Sequence, residues 1–158
     1  MTAQLDVPLS AANRTVAAEL QGLLVDLIDL ALIGKHAHWN VVGPHFRPVH
    51  LELDELVESW RELSDDVAER AAALDAAPDG QSETIAGSTK VEPLPAGHLG
   101  DGEVVWLIGD RLEQVTTRLR ERLARVASLD PISEDLLIGV AATLEKQLWM
   151  LRAQRAGV

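Results

Sequence analysis

Histidine and acidic side chains recur along HLELDELVESWRELSDDVAER, residues 50–70, which has the pattern of one amphipathic helix. Four of them share one stripe, because at about 100° per residue the set spans only about 100° of the helix surface. These four are His50, Asp54, Asp65 and Glu69. The apolar face lies elsewhere on the helix and comprises Leu53, Leu56, Val57, Trp60, Leu63, Val67, Ala71 and Leu74. Imidazole and carboxylate groups beside a buried face are candidates for binding a metal ion.

One copy of this helix cannot bring the four groups to a single ion. With a rise of about 1.5 Å per residue, Asp54 and Asp65 lie about 16 Å apart along the axis. The spacing is symmetric, however, since this inner pair and the outer pair, His50 with Glu69, have the same midpoint at position 59.5. Two antiparallel copies about a twofold axis would form two equivalent sites. Each would hold one histidine and three carboxylates, which are ligands suited to iron or manganese.

A solvated surface is the alternative interpretation of the same stripe. Glu58 and Glu62 also lie on it, so the angular positions alone do not single out four ligands. A carboxylate-rich helix flank is ordinarily exposed to water, and a lone histidine is ordinarily not a ligand. The segment KHAHWN adds His36 and His38 shortly before the helix, and either could supply a second imidazole. From these residues alone, both interpretations stay open.

Composition restricts the classes of protein to which the chain can belong. Its 158 residues are enough for one compact domain, which we expect to span residues 1–158. Hydrophobic residues make up 47% and aromatic residues 3%, so the core must consist of aliphatic side chains. The chain has no cysteine, which excludes disulfides and thiolate metal sites, and no apolar run long enough to span a membrane. The net charge of −11 disfavours binding to nucleic acids, and we expect a cytoplasmic protein.

Four long helices are predicted from apolar spacing and capping residues. The first two cover residues 13–40, with Ser10 as N-cap, and residues 48–76, beginning at Pro48. The third runs from its N-cap Asp101 to residue 129, and the fourth covers residues 131–155 after its N-cap Asp130. Residues 1–12 form a short tail, and residues 78–100 form a Gly/Pro-rich connection with a short helical turn near Ile85. No strand pattern is evident. The predicted fold is all-α, a ferritin-like four-helix bundle with a long crossover between helices two and three.

The segment KHAHWNVVGPHFRPVHLELDELVESWRELSDDVAER resembles the Dps family (DNA-binding protein from starved cells), the bacterial mini-ferritins. The family pattern is His-Trp-Asn, a loop with glycine and phenylalanine, a second histidine twelve residues after the first, an aspartate four further on, and Asp-x-x-x-Glu-Arg. This chain matches it with His38-Trp39-Asn40, Gly43, Phe46, His50, Asp54, Asp65 and Glu69-Arg70. The last helix is similar too, with Leu144-Glu145-Lys146 and Trp149. The resemblance covers nearly the whole chain.

The resemblance implies a ferroxidase centre shared by two subunits. Its ligands would be His38, His50 and Asp54 from one subunit with Asp65 and Glu69 from the twofold mate. Trp39 would lie beside the centre, chiefly as a packing residue, and Lys35 is a candidate for a salt bridge next to it. Glu58 and Glu62 would be surface or interface neighbours, and His36 and His45 would not be ligands.

The function implied by the resemblance is oxidation of Fe(II), with hydrogen peroxide in preference to dioxygen. Two iron ions per centre and storage of ferric oxide in a hollow shell of twelve subunits are expected. Asp130, Glu134 and Asp135 are candidates for an acidic entry pore, although acids also gather at helix N-termini for electrostatic reasons. DNA-binding members carry basic tails, whereas this sequence has no lysine before Lys35. We therefore expect no direct DNA binding, and nucleoid condensation is the alternative function.

Overall fold

The computed structural model describes residues 9–155, so most of the predicted N-terminal tail lies outside the described residues. Within them, seven elements follow one another along the chain. These are α1 (Ala11–Asn40), β1 (Val41–Val42), α2 (Phe46–Ala73), α3 (Ser82–Ser88), β2 (Leu99–Gly100), α4 (Asp101–Val126) and α5 (Pro131–Arg155). No helix among the described residues is long and apolar enough to cross a membrane.

The four long helices form a bundle around one aliphatic core, as predicted. Helix α1 packs along α2 and also contacts α4, while α4 pairs with α5. Every long helix contributes to a single buried cluster that consists almost wholly of Leu, Val, Ile and Ala, with Trp60 as its one aromatic member. The apolar face predicted for α2 is buried, apart from Leu63, which packs against the cluster while partly exposed. The all-α ferritin-like prediction is confirmed.

Two polar contacts join helices inside this core. The Trp60 indole is fully buried and donates its N–H to Gln147 Oε1 at 2.9 Å, and Gln147 Nε2 donates to Ser59 Oγ at 2.9 Å. This chain of hydrogen bonds ties α2 to α5. On the other side of the bundle, the buried carboxylate of Asp26 on α1 accepts a hydrogen bond from Arg118 Nη2 of α4 at 2.9 Å. Because the polar groups of Trp60, Gln147 and Asp26 are paired with groups on other helices, these contacts fix how the helices face one another.

The helix ends follow local capping signals, with small shifts. Ser10 is the N-cap of α1, and its Oγ accepts the Asn13 N–H at 3.0 Å. Asp130 likewise accepts the Ser133 N–H ahead of Pro131, which opens α5. The prediction that Asp101 is an N-cap is wrong, because Gly100 holds that position and Asp101 is the first residue of α4. Helices α2 and α4 each end three residues earlier than predicted, at Ala73 and Val126.

The crossover between α2 and α4 contains more structure than its composition indicated. The helical turn predicted near Ile85 is present as α3, with Ile85 buried. In contrast to the expectation of no strand, Val41 and Val42 pair in parallel with Leu99 and Gly100. Each strand has only two residues, too short for an alternating pattern to be visible in the sequence. The strand pair attaches the end of the crossover to the turn between α1 and α2.

Candidate metal centre

His38, near the end of α1, and His50, in the second turn of α2, are held face to face by backbone hydrogen bonds. His38 Nδ1 lies 2.8 Å from the carbonyl oxygen of His50, and His50 Nδ1 lies 2.9 Å from the carbonyl oxygen of His38. The two rings stack with centroids 3.6 Å apart and an angle of 20° between their planes. Of the two residues, His38 is buried and His50 is half-buried. The turn between the helices therefore brings both imidazoles to one place.

The hydrogen-bond partners determine which nitrogen of each ring is protonated. A carbonyl oxygen only accepts hydrogen bonds, so Nδ1 of each ring must carry the proton and donate. In a neutral imidazole the lone pair is then on Nε2, which is the atom available to a metal ion. Metal-binding histidines commonly use one ring nitrogen in this way to orient the other. Each imidazole thus has the tautomer that metal binding through Nε2 requires.

The Asp54 carboxylate lies one turn further along α2 and is adjacent to His38. Its Oδ1 is 3.4 Å from His38 Nδ1 and also accepts a hydrogen bond from Lys35 Nζ. That hydrogen bond is the largest cause of a pKa for Asp54 below its usual value; burial acts against it, and smaller electrostatic influences of His38, Lys35 and His50 act with it. Asp54 is therefore ionised at neutral pH, and the ion pair expected of Lys35 is present.

Other aromatic and histidine side chains surround this pair without joining it. The Phe46 ring lies 4.9 Å from the His50 ring and covers one side of it. Trp39 is 71% exposed, so the described chain leaves most of this residue uncovered. His36 turns toward the crossover, with Nε2 3.3 Å from the carbonyl oxygen of Pro95, and His45 is exposed to solvent.

Asp65 and Glu69, the other two predicted ligands, are exposed on the far half of α2 and do not meet the histidines. Among residues 9–155, no group of three or more histidine, aspartate or glutamate side chains is close enough to hold a metal ion. The described chain therefore brings His38, His50 and Asp54 close to one another without forming a metal-binding group of three, and Asp65 and Glu69 lie exposed toward the other end of α2. That these five residues form one centre shared by two subunits remains a prediction.

The acids predicted to line a pore lie at the start of α5. Asp130 is largely engaged there, since its Oδ2 accepts hydrogen bonds from Arg70 Nη2 at 2.7 Å and from Ser133. Glu134 and Asp135 follow in the first two turns, half-buried and exposed respectively. The pore role of all three remains a prediction. The carboxylates of Glu134 and Asp135 are less engaged in hydrogen bonds than that of Asp130.

Asp101 is the residue near the site that the sequence did not reveal. Its Oδ2 accepts the His45 backbone N–H at 2.5 Å, across 56 residues of chain. The sequence signal at Asp101, an acid at a helix start, predicted only a cap. Contacts over such a separation depend on the tertiary fold, so no local pattern could have indicated this one.

Comparison with known proteins shows the family to which the chain belongs. The family model for the ferritin-like domain matches residues 17–157. The chain is 41% identical over 143 residues to the fine tangled pili major subunit of Haemophilus ducreyi, covering 90% of this chain and 76% of that protein. It is 38% identical over 145 residues to the DNA protection during starvation protein of Mycolicibacterium smegmatis, covering 87% and 75%. It is 35% identical to DNA protection during starvation protein 2 of Deinococcus radiodurans, although it spans only 56% of that relative's length.

Solved structures agree with the same assignment. An N-terminal deletion mutant of Dps from Mycobacterium smegmatis superposes with a TM-score of 0.90 at 34% identity, covering 94% of this chain and 99% of that one. Dps92 from Deinococcus radiodurans gives a TM-score of 0.88 at 33% identity, covering 91% and 87%. A bundle of this topology with this family match defines a ferritin-like protein. Within that class, the chain belongs to the Dps family of mini-ferritins.

Proposed function

We propose that this protein is a ferroxidase and iron-storage mini-ferritin whose oxidation centres are shared between two subunits. The observation that carries the proposal is the hydrogen-bonded histidine pair, in which Nδ1 of each ring is used by a backbone carbonyl so that Nε2 would be the ligand atom, with the ionised Asp54 next to His38. Neutral imidazoles and carboxylates together are a ligand set suited to Fe(II). A relative in this family, Dps from Microbacterium arborescens, has been solved in a form described as high iron.

The partner subunit would supply the remaining ligands, Asp65 and Glu69. Their exposure within one chain leaves them available, and an antiparallel pairing of two α2 helices brings them opposite the histidine pair of the mate. A surface depression of about 680 Å³ borders Asp54 and also includes Glu58 and Glu62. In such a dimer those two glutamates would face the partner as interface neighbours.

The reaction supported by this site is the oxidation of two Fe(II) ions by one hydrogen peroxide. Each Fe(II) gives up one electron, the O–O bond breaks, and two protons complete two water molecules, so that no free hydroxyl radical need be released. The protein groups would bind and orient the iron while leaving coordination positions open for the oxidant. The Fe(III) product would be deposited as ferric oxide within a shell of twelve subunits, reached through acidic pores that include Glu134 and Asp135.

Protection of DNA would then be chemical, through removal of Fe(II) and peroxide, and direct contact with DNA would not be needed. The net charge of −11 opposes binding to a polyanion, since affinity for nucleic acids depends on basic side chains. The two relatives named for DNA protection during starvation are compatible with either route. We place the protein in the cytoplasm, where Fe(II) and peroxide meet.

The test is stopped-flow measurement of Fe(II) oxidation by peroxide in the double variant His50→Ala/Asp54→Ala. We expect the initial rate to fall to that of Fe(II) in buffer, because two of the three ligands at one end of α2 are removed. The control is His98→Ala/Glu103→Ala, which removes one exposed histidine and one exposed acid outside the centre and should retain the wild-type rate. Unchanged oxidation in the first variant would show that the centre lies elsewhere.

A further inference from the structure

The Asp101 carboxylate holds the turn that connects the two histidine-bearing helices. Its Oδ2 accepts the His45 backbone N–H at 2.5 Å, and its Oδ1 accepts the Gly102 N–H at 2.7 Å. The side chain is only 14% exposed, although it belongs to the first turn of a helix. A carboxylate at this position is also stabilised by the dipole of α4. Asp101 is therefore well anchored on α4 while it binds a segment of chain 56 residues away.

The turn is shaped to admit this carboxylate. Gly43 has φ of +134°, a conformation that side chains rarely adopt, and a Cβ there would lie 2.6 Å from Asp101 Oδ2. The Gly43 carbonyl in turn accepts the Phe46 N–H at 3.1 Å, which closes the turn into α2. Glycine at this position thus allows the backbone to fold around the acid.

The strand pair lies directly beside this contact. Val41 pairs with Leu99 and Val42 pairs with Gly100, and Asp101 follows Gly100 in sequence. Together the ladder and the carboxylate fasten residues 41–45 to residues 99–101. A ladder of two residues is marginal on its own, whereas a hydrogen bond to an ionised acceptor is roughly twice as strong as a neutral one.

The arrangement of the two imidazole rings depends on the position of residues 41–45, because each ring bonds to the main-chain carbonyl of the other histidine. His38 lies three residues before the fastened segment and His50 five residues after it. A turn that shifts would move the two carbonyls relative to each other and release one or both Nδ1 atoms. The free Nε2 atoms would then lose their common orientation.

We infer that Asp101 is a positioning residue for the metal centre, which it serves from the end of the crossover without contacting metal or oxidant. The inference rests on the proposed ferroxidase function, because it assigns the histidine pair as ligands. Beyond that function, it states that the geometry of the histidine pair depends on a carboxylate contributed by α4. Orienting groups beyond the ligands commonly change metal affinity by about 10- to 100-fold.

The experiment compares wild type with Asp101→Ala, Asp101→Asn and Glu103→Ala. Co(II) binding to the assembled protein is followed by its visible absorption, and backbone hydrogen exchange of residues 41–50 is followed by mass spectrometry. For Asp101→Ala we expect faster exchange and Co(II) affinity weakened by roughly 10-fold, the low end for an orienting group. Asp101→Asn retains an acceptor for the His45 N–H and should recover part of both. Glu103→Ala removes an exposed acid of the same helix turn and should match wild type.

The outcomes separate this inference from the proposed function. Wild-type protein that binds no Co(II) would overturn the metal centre, and the positioning role with it. Wild-type binding with an unchanged affinity in Asp101→Ala would overturn the positioning role alone, whether or not exchange of the turn becomes faster. Weakened affinity without recovery in Asp101→Asn would also contradict it, since the hydrogen bond to His45 is the proposed cause.

Discussion

The imidazoles of His38 and His50 are oriented by reciprocal contacts to each other's main-chain carbonyls. The sequence alone offered His36 or His38 as a second imidazole beside His50, and the resemblance to the family pattern selected His38. The reciprocal bonds to main-chain carbonyls could not be predicted, because they depend on the path of the turn between the helices. The residue types therefore indicate the chemistry, whereas the protonated nitrogen is determined by the fold.

Close packing at Gly34 of α1 gives a prediction for a single residue. A Cβ there would lie 2.7 Å from Val57 Cγ2 and 2.9 Å from Trp60 Cζ3, inside the core between α1 and α2. We expect Gly34→Ala to lower the free energy of unfolding by about 1–3 kcal/mol, because overpacking a filled core forces side chains or backbone to move. The measurement is chemical denaturation followed by circular dichroism.

Gly139→Ala is the matched control for this substitution. Gly139 lies within α5, and a Cβ there would meet no atom of the chain within 4 Å. Alanine at that position should leave stability unchanged or raise it by up to about 1 kcal/mol, since alanine is the better helix former. Equal losses in both variants would mean that the close approach of α1 and α2 is not the cause.

At the scale of elements, the start of α5 is fixed to the end of α2 by Asp130. Burial raises the pKa of the Asp130 carboxyl, but hydrogen bonds from Ser133 and Arg70 and the charge of Arg70 outweigh it, so the pKa lies below the usual value. A carboxyl with a lowered pKa in the folded state stabilises the protein above its unfolded pKa. That stabilisation is lost as the pH falls through the folded pKa.

Asp130→Asn should therefore destabilise the protein in a pH-dependent way. Asparagine still caps the helix, so the expected loss of about 1–2 kcal/mol at pH 7 reflects the missing charge opposite Arg70. For a chain of this length, each kcal/mol lost should lower the midpoint temperature of thermal unfolding by roughly 2–4 °C. The difference from wild type should begin to shrink as the pH falls below about 4, the usual pKa of an aspartate in an unfolded chain, and should shrink further as the pH falls through the lowered pKa of folded Asp130.

The control for the pH dependence is Asp135→Asn, which neutralises an exposed acid of the next turn. It should leave the unfolding temperature almost unchanged at either pH, as is usual for exposed surface charges. A deficit of Asp130→Asn that persisted undiminished at pH 3 would contradict the assigned role of the charge.

The helices could be predicted from the sequence, and the contacts that join them at the site could not. Caps such as Ser10 and Asp130 and the apolar stripe of α2 are local signals, which is why the four long helices and the bundle were found within a few residues. The strand pair and the Asp101 contact join segments more than 50 residues apart, and such contacts produce no periodic pattern in the sequence. Local patterns therefore indicate the elements, while the support of the site depends on the assembled fold.

At the scale of the whole molecule, one chain leaves features that a second copy would complete. Trp39, Trp106 and Trp149 are each more than half exposed, which is unusual for large aromatic side chains on an isolated subunit. The candidate ligands are likewise divided between the two ends of α2, with no metal-binding group of three among residues 9–155. The exposed tryptophans are surfaces that an assembly could cover, and the divided candidate ligands are what the proposed antiparallel pairing of two α2 helices would bring together.

Subunit sharing can be tested by mixing two inactive variants. His50→Ala/Asp54→Ala lacks the ligands at one end of α2, and Asp65→Ala/Glu69→Ala lacks those at the other. In a dimer of one copy of each, one centre loses all four ligands and the other keeps them all. If the variants are co-expressed equally and pair at random, roughly a quarter of the wild-type centres should be intact. Fe(II) oxidation should recover to about that fraction of the wild-type rate.

A centre within one chain would give a different result, because no mixture of defective chains could then contain a complete set of ligands. Activity in the mixture that stayed at the level of either variant alone, with both variants assembled normally by size-exclusion chromatography, would exclude a shared site. A chain carrying all four substitutions, co-expressed with Asp65→Ala/Glu69→Ala, is the matched control. It forms mixed dimers without any intact centre, so recovery there would point to iron oxidation away from α2.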